Sequence, residues 1–281
     1  MILITGAAGK TGLAVIQSLL ERGQSVRAFV RSAEQKQRAE AQGAAETVIG
    51  DLTQADDIQQ AFEGIDQVLH ICPNVRPDEI WIGAEMIKAA KAAEVEQFVF
   101  HSVMHPQVEA MPHHWNKMRV EEMLVQSRLP FTIVQPASYM QNLPLESIRT
   151  EGVLRVPYDL QARHSMVDLA DVAEVYACLL TEPGHLYATY ELAGPQALDH
   201  LQIAALISQT LNRPVTPVQD KIDAWRLRAQ QSEMSAYAVD TLTKMFEYYD
   251  RHGFIGNSTV LQYLLERPPT TLKSYLHHTL G

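Results

Sequence analysis

The strongest constraint on this chain lies in its first twelve residues. Ile2-Leu3-Ile4-Thr5 is a short apolar run. Gly6-Ala7-Ala8-Gly9-Lys10-Thr11-Gly12 follows it directly and opens a segment of helical periodicity. A strand that feeds a GxxGxxG turn and then a helix is the layout of a dinucleotide-binding βαβ unit. The first glycine permits a sharp turn, the second lets backbone approach a pyrophosphate, and the third lets the helix pack tightly on the strand. The free N–H groups and the positive end of the helix dipole then face the phosphates. Gly6, Ala8, Gly9, Lys10, Thr11 and Gly12 are therefore expected to contact the cofactor. Gly9-Lys10-Thr11 also contains the GKT of a phosphate-binding P-loop. That motif needs a glycine at position 4, where Ile4 stands, so an ATPase fails on spacing.

The next 120 or so residues alternate short apolar runs with helix-period stretches, about one βα unit at a time. The runs are Ser25–Val30, Glu46–Ile49, Gln67–Cys72, Gln97–Ser102 and Phe131–Gln135. They are near-continuously apolar, as strands are when helices cover both faces of a parallel sheet. The fold class is α/β: a doubly wound parallel sheet, the NAD(P)-binding Rossmann fold, with a smaller C-terminal substrate lobe. The expected division is 1–136, with 164–194 returning to it, against 137–163 plus 195–281. Helices are expected over Val167–Leu180, capped by Asp168 or Asp171, and over Leu198–Asn212. A long helix-rich stretch is expected over Trp225–His252.

Composition narrows the function. The 281 residues carry 23 basic and 33 acidic side chains, a formal charge of −10. The acidic balance argues against non-specific nucleic-acid binding, which needs a basic surface to displace counterions and would here require a local basic patch. The two cysteines, Cys72 and Cys178, make neither a disulfide framework nor a zinc-finger set. They read as reduced thiols of a cytoplasmic protein. No signal peptide and no membrane span is legible.

The cofactor follows from the end of the second strand, Phe29-Val30-Arg31-Ser32. An NAD-selective site usually places an acid there for the ribose 2′-hydroxyl. Arg31 and Ser32 instead suit a 2′-phosphate, so NADP(H) is preferred over NAD(H). Asp51-Leu52 suits an adenine-edge contact, or else a helix-capping turn. Cys72, Pro73 and Asn74 follow the fourth strand, at the carboxyl edge of the sheet where ligands bind. Tyr139 and Asn142 follow the sixth strand as candidate substrate contacts, with helix-start packing the alternative for Tyr139.

These pieces carry a family resemblance. Ile4 to Gly12, Val30-Arg31, Gly50-Asp51-Leu52, Phe98 to Ser102, Lys117 to Glu121, Leu129 to Pro136, Met140-Gln141-Asn142, Val167 to Ala173 and Tyr190 to Gly194 span almost the whole chain. The chain resembles the NmrA-like branch of the atypical short-chain dehydrogenase/reductases, and more distantly the isoflavone-reductase-like enzymes. The resemblance implies an NADP(H)-binding domain and a variable substrate lobe. It also implies two kinds of activity: reduction of small compounds, or redox sensing without turnover. Relatives use Ser, Tyr and Lys, with Tyr four residues before Lys. Ser102 and Lys117 fall on the first and last of these positions, and His113 stands where the tyrosine is expected. Residues four apart share a helix face, and a histidine exchanges protons near neutrality. Either His113 or Lys117 is thus a candidate for proton transfer.

The crowd of His101, His105, His113 and His114 lacks any HExxH helix or suitably spaced ligand, so no metal is expected there. The absence of GxSxG leaves a hydrolase unsupported. The expected function is NADPH-dependent hydride transfer to a small carbonyl, quinone-like or conjugated substrate. The alternative is a non-catalytic NADP(H) sensor acting through a protein partner. Expected partners are a small-molecule substrate, no nucleic acid and no membrane, with a homodimer left open.

Overall fold

A computed structural model describes residues 1–281. Its first half runs β1 (Ile2–Ile4), α1 (Lys10–Glu21), β2 (Val26–Val30), α2 (Ala33–Ala41), β3 (Glu46–Ile49), α3 (Ala55–Ala61), β4 (Gln67–His70), α4 (Glu79–Ala92), β5 (Gln97–His101), α5 (Pro112–Gln126) and β6 (Phe131–Pro136). Then follow α6 (Leu145–Glu151), β7 (Val153–Val156), α7 (Leu169–Thr181), β8 (Ala188–Leu192), α8 (His200–Leu211), β9 (Thr216–Gln219), α9 (Ile222–Gln230), α10 (Ala236–His252), α11 (Thr259–Leu265) and α12 (Leu272–Leu280).

The large sheet has seven strands in the order β3-β2-β1-β4-β5-β6-β8. All pairings from β3 across to β6 are parallel. This is the Rossmann order with β8 added at one edge. The strand order reverses between β1 and β4, which makes that junction the switch point where a ligand crevice forms.

The chain forms two compact units. Unit 1 comprises residues 1–107, 116–135 and 172–190; unit 2 comprises 108–115, 136–171 and 191–281. Unit 1 packs Leu3, Val68, Phe98 and Phe100 of the sheet with Ile82 and Met86 of α4 and Val120 and Leu124 of α5. These helices present apolar residues three and four apart, so one face of each is buried. In unit 2, Ile148 and Leu154 pack with Ile203 and Ile207 of α8 and Leu272 and Leu276 of α12.

Several elements differ from the sequence expectation. α7 starts at Leu169, and Asp168 is the capping acid, accepting from the Ala170 N–H at 3.0 Å. Asp171 lies inside the helix and accepts from Arg267 at 2.8 Å and from the Thr270 N–H at 2.7 Å. The stretch expected to be helix-rich from Trp225 to His252 is two helices, since Ser235 caps α10 by accepting from the Ala238 N–H. β7 and β9 pair in a two-stranded parallel sheet whose members had no clear strand pattern.

Unit 2 also buries a ring cluster: Tyr158, His164, His200 and Tyr249, with centroids 5.0 to 5.8 Å apart. His164 Nε2 and His200 Nδ1 are buried without hydrogen-bond partners. Burial, aided by the His200 ring, pushes His164 down to about 3. Burial likewise pushes His200 down to about 4, against the opposing pull of Asp199. Both rings are neutral in the fold, whereas the unfolded chain takes up protons below about 6.5. The unfolded state then binds more protons, so stability present above about pH 6.5 is lost as the pH falls toward 4 and 3. Urea unfolding across this range is expected to show that fall, reduced in a His164→Leu variant. A free energy of unfolding that stays level from pH 7 to pH 4 contradicts it.

Candidate functional site

The glycine turn lies at the β1/β4 switch point. Gly6 has φ +62°, and a Cβ there would lie 2.8 Å from the Ile71 carbonyl oxygen at the end of β4. Both the left-handed backbone and the space require glycine. A Cβ at Gly12 would lie 2.5 Å from the Gly6 carbonyl oxygen and 2.6 Å from Ala7 Cα. Gly9 is the N-cap of α1, and no side chain caps that helix. The first-turn N–H groups of a helix have no intrahelical acceptor. An exposed, uncapped N-terminus in a cradle without side chains fits the pyrophosphate of a dinucleotide.

The two strand ends beside the turn are locked together. Thr5 Oγ1 accepts from the Ile71 N–H at 2.9 Å and lies 2.9 Å from His70 Nδ1. The Thr5 N–H donates to the Leu69 carbonyl at 3.1 Å. His70 is fully buried, and burial with the nearby Lys117 charge pushes it down to about 3, so the ring is neutral.

At the ends of β2 and β3, Arg31 is exposed and its guanidinium lies close enough to Asp51 to help lower that carboxyl. The larger causes of that lowering are hydrogen bonds from Thr53, whose N–H lies 2.9 Å from Asp51 Oδ1. The Ser32 hydroxyl caps α2, accepting from the Gln35 N–H at 3.2 Å. Arg76, in the loop after β4, adds a second guanidinium that acts on Asp51. It is held by a two-point ion pair with Asp78, at 2.7 and 2.6 Å. The side chains of two expected cofactor contacts lie in the core. Cys72 and Leu52 are both members of the unit 1 apolar cluster. Burial pushes the Cys72 thiol up to about 12, and the Glu79 charge adds to it. In the same loop, Pro73 is half-buried and Asn74 exposed.

Ser102 and Lys117 are each tied to a buried carboxylate. The Lys117 ammonium lies 2.6 Å from Glu79 Oε1, with side-chain exposures of 8% and 2%. It also reaches the His101 carbonyl at 3.3 Å and sits 5.5 Å above the Phe100 ring. The Ser102 hydroxyl donates to Glu121, which also accepts from Gln135 Nε2 at 2.9 and 3.0 Å. Burial raises the Glu121 carboxyl despite these bonds. His113 is buried in the first turn of α5, its ring 4.4 Å from that of His114. Tyr139 precedes a 3₁₀ turn at Met140–Asn142, and Asn142 is exposed on it.

The sequence reading missed Glu79, Glu121, Arg76 and the Thr5–His70 pair. Glu79 falls in the first turn of α4, where an acid ordinarily serves the helix dipole. Glu121 follows Lys117 by one helical turn and reads as a surface ion-pair partner. Its burial and its bond to Ser102 depend on packing that spacing alone does not show.

The NmrA-like family model matches residues 1–276. The chain belongs to the NmrA-like family. Similar proteins include the NAD(P)H azoreductase of Xenophilus azovorans, 29% identical over 98% of this chain and 96% of that one. Quinone oxidoreductase 2 of Escherichia coli is 27% identical, over 99% of this chain and 98% of the relative. The crystal structure of NADPH-dependent quinone oxidoreductase QOR2 from Escherichia coli, complexed with NADPH, superposes with TM-score 0.87. It is 25% identical and both chains are fully covered. The fold is thus shared with that structure over the full length of both chains.

The Glu79–Lys117 pair sets a stability test. Removing one partner of a buried pair leaves an uncompensated charge, at about 3–5 kcal/mol. Glu79→Gln is therefore expected to lower the unfolding free energy by about 3 kcal/mol. The double change Glu79→Leu with Lys117→Met is expected to lower it by less. Urea denaturation of both variants checks this, and a double variant less stable than Glu79→Gln contradicts it.

Proposed function

We propose that this chain is an NADPH-dependent reductase of a small quinone-like or otherwise conjugated acceptor. The observation that carries the reading is the uncapped glycine turn at the switch point, flanked by Arg31 and Arg76. When bound, the dinucleotide would supply a hydride. Gly6, Ala8, Gly9, Lys10, Thr11 and Gly12 would hold its pyrophosphate through backbone N–H groups and the α1 dipole. Arg31, with Arg76 beside it, would take the 2′-phosphate by charge-assisted hydrogen bonds. Ser32 would contribute through its end of α2, since its hydroxyl already serves the helix. Asp51 would meet the adenine side, and Pro73 and Asn74 would border the nicotinamide half.

Lys117 would fix the nicotinamide ribose, held at a set position by Glu79 and the His101 carbonyl. Ser102 keeps an oxygen lone pair available while donating to Glu121. His113 would serve as a proton donor, and Tyr139 and Asn142 as substrate contacts. Full-length similarity to an azoreductase and a quinone oxidoreductase supports conjugated acceptors as the substrate class. The second reading, a dinucleotide sensor without turnover, draws on one observation. His113 stands at the tyrosine position of the Ser-Tyr-Lys pattern.

Loss of a hydrogen bond to a charged group is worth about 1.5–3 kcal/mol, roughly 10–150-fold. Arg31→Ala is thus expected to raise the KM for NADPH by at least about 10-fold and to leave that for NADH nearly unchanged. The assay follows dinucleotide oxidation with a panel of quinone and azo acceptors. Equal effects on both dinucleotides would remove Arg31 from the phosphate site. Failure to oxidise NADPH with any acceptor, with binding intact, would replace the reductase with the sensor.

A further inference from the structure

We propose that unit 1 also carries a zinc-class metal site, built from Cys178, Glu182 and His185 where α7 ends and the chain turns toward β8. The sequence reading weighed only the histidines between positions 101 and 114 and expected no metal. The sulfur, a carboxylate oxygen and an imidazole nitrogen of these three residues all lie within 4.8 Å of one another. Cys178 Sγ is 3.8 Å from His185 Nε2. A tetrahedral zinc, with bonds of about 2.3 Å to sulfur and about 2.0 Å to nitrogen, holds two such ligands about 3.5 Å apart. The protein therefore presents this ligand pair at nearly the spacing the ion requires.

Local structure explains the convergence. The Glu182 N–H bonds the Cys178 carbonyl at 2.9 Å, continuing the helical pattern past α7. Residues four apart then lie on one helix face. Gly184, with φ +96°, turns the chain back after Pro183 and brings His185 over that face. Cys178 is buried, His185 half-buried and Glu182 exposed. The sulfur thus sits in the protein while the carboxylate side stays open, leaving an entry path and room for a water as fourth ligand.

The surroundings suit a metal as well. His185 Nδ1 lies 3.0 Å from the Tyr190 hydroxyl. Donation of the Nδ1 proton to that oxygen leaves the Nε2 lone pair facing Cys178, as the outer partner of a metal-bound histidine does. Arg22 Nη1 lies 2.6 Å from Glu182 Oε1 and 3.0 Å from Thr181 Oγ1, and the Cys178 thiol hydrogen-bonds the same carboxylate through a proton that the ion would replace. A thiolate and a carboxylate balance the dication. Thiolate with imidazole favours Zn²⁺ over the harder Mg²⁺ and Ca²⁺.

This site is separate from the glycine turn. Arg22 is the C-cap of α1, and the glycine turn lies at that helix's other end. Twelve helical residues span about 18 Å. The ion would fasten the end of α7, the turn before β8 and the end of α1, without reaching a dinucleotide.

The test uses the purified full-length protein in reduced form, titrated with Co²⁺ and then with Zn²⁺. One equivalent of Co²⁺ is expected to give a thiolate-to-cobalt charge-transfer band, which one equivalent of Zn²⁺ abolishes. Cys178→Ser is expected to lose the band, and Cys72→Ser to keep it. His185→Gln and Glu182→Gln should each weaken Co²⁺ binding by at least about 10-fold, and Tyr190→Phe by about 10-fold. Circular dichroism reports whether each variant is folded; if Cys178→Ser is not, His185→Gln and Glu182→Gln decide. No band in the unaltered protein overturns the site, as does a band that survives in Cys178→Ser. Unchanged affinity in both His185→Gln and Glu182→Gln overturns it too. None of these outcomes depends on dinucleotide binding.

Discussion

Helix α1 approaches the end of β1 more closely than any side chain permits. A Cβ at Gly12 would sit 2.5 Å from the Gly6 carbonyl oxygen, and one at Gly6 would sit 2.8 Å from the Ile71 carbonyl. This double close approach fixes three things at once. It aims the free end of α1 along the crevice at the switch point. It sets β1 against β4, where Thr5 bonds the Ile71 N–H. It also leaves a surface of backbone alone, which is the surface a pyrophosphate needs. The other features of the site are arranged around that turn on the carboxyl ends of the neighbouring strands.

Around this backbone surface, charge is distributed in two ways. Arg31 is exposed and Arg76 is partly so, each free to meet an anion at its outer face. Lys117 is instead buried against Glu79. A buried pair contributes little net stability, but it fixes where the ammonium is. Ser102, just past β5, and Glu121 of α5 form a second buried polar pair. The two carboxylates thus restrict the lysine and the serine to single orientations, which is how a positioned site differs from two polar side chains at a surface.

Much of this was legible in the sequence because parallel strands are nearly continuous apolar runs. Each of the first six strands appears within a residue or two of its run, and the glycine turn falls in its expected place. What escaped depends on packing between distant segments. Glu79 and Lys117 are 38 residues apart, and nothing local to Glu79 distinguishes it from an acid that serves a helix dipole. Cys72 and Leu52 were taken for cofactor contacts from their place after a strand. Their side chains pack in the core, which a place after a strand does not show. β9 was hidden because Thr216-Pro217-Val218-Gln219 is short, polar at both ends and carries a proline. Cys178, Glu182 and His185 passed unnoticed because their spacing matches no familiar metal motif, and the turn at Gly184 is what joins them.

The central claim is that the turn and its neighbouring arginines select a phosphorylated dinucleotide. Calorimetric titration of the purified protein with NADPH, NADP⁺, NADH and NAD⁺ tests it most directly. The account predicts tight binding of NADPH and NADP⁺ and much weaker binding of NADH and NAD⁺. Equal or tighter binding of the unphosphorylated pair would contradict the roles of Arg31 and Arg76, and binding of none of the four would reduce the glycine turn to a structural element.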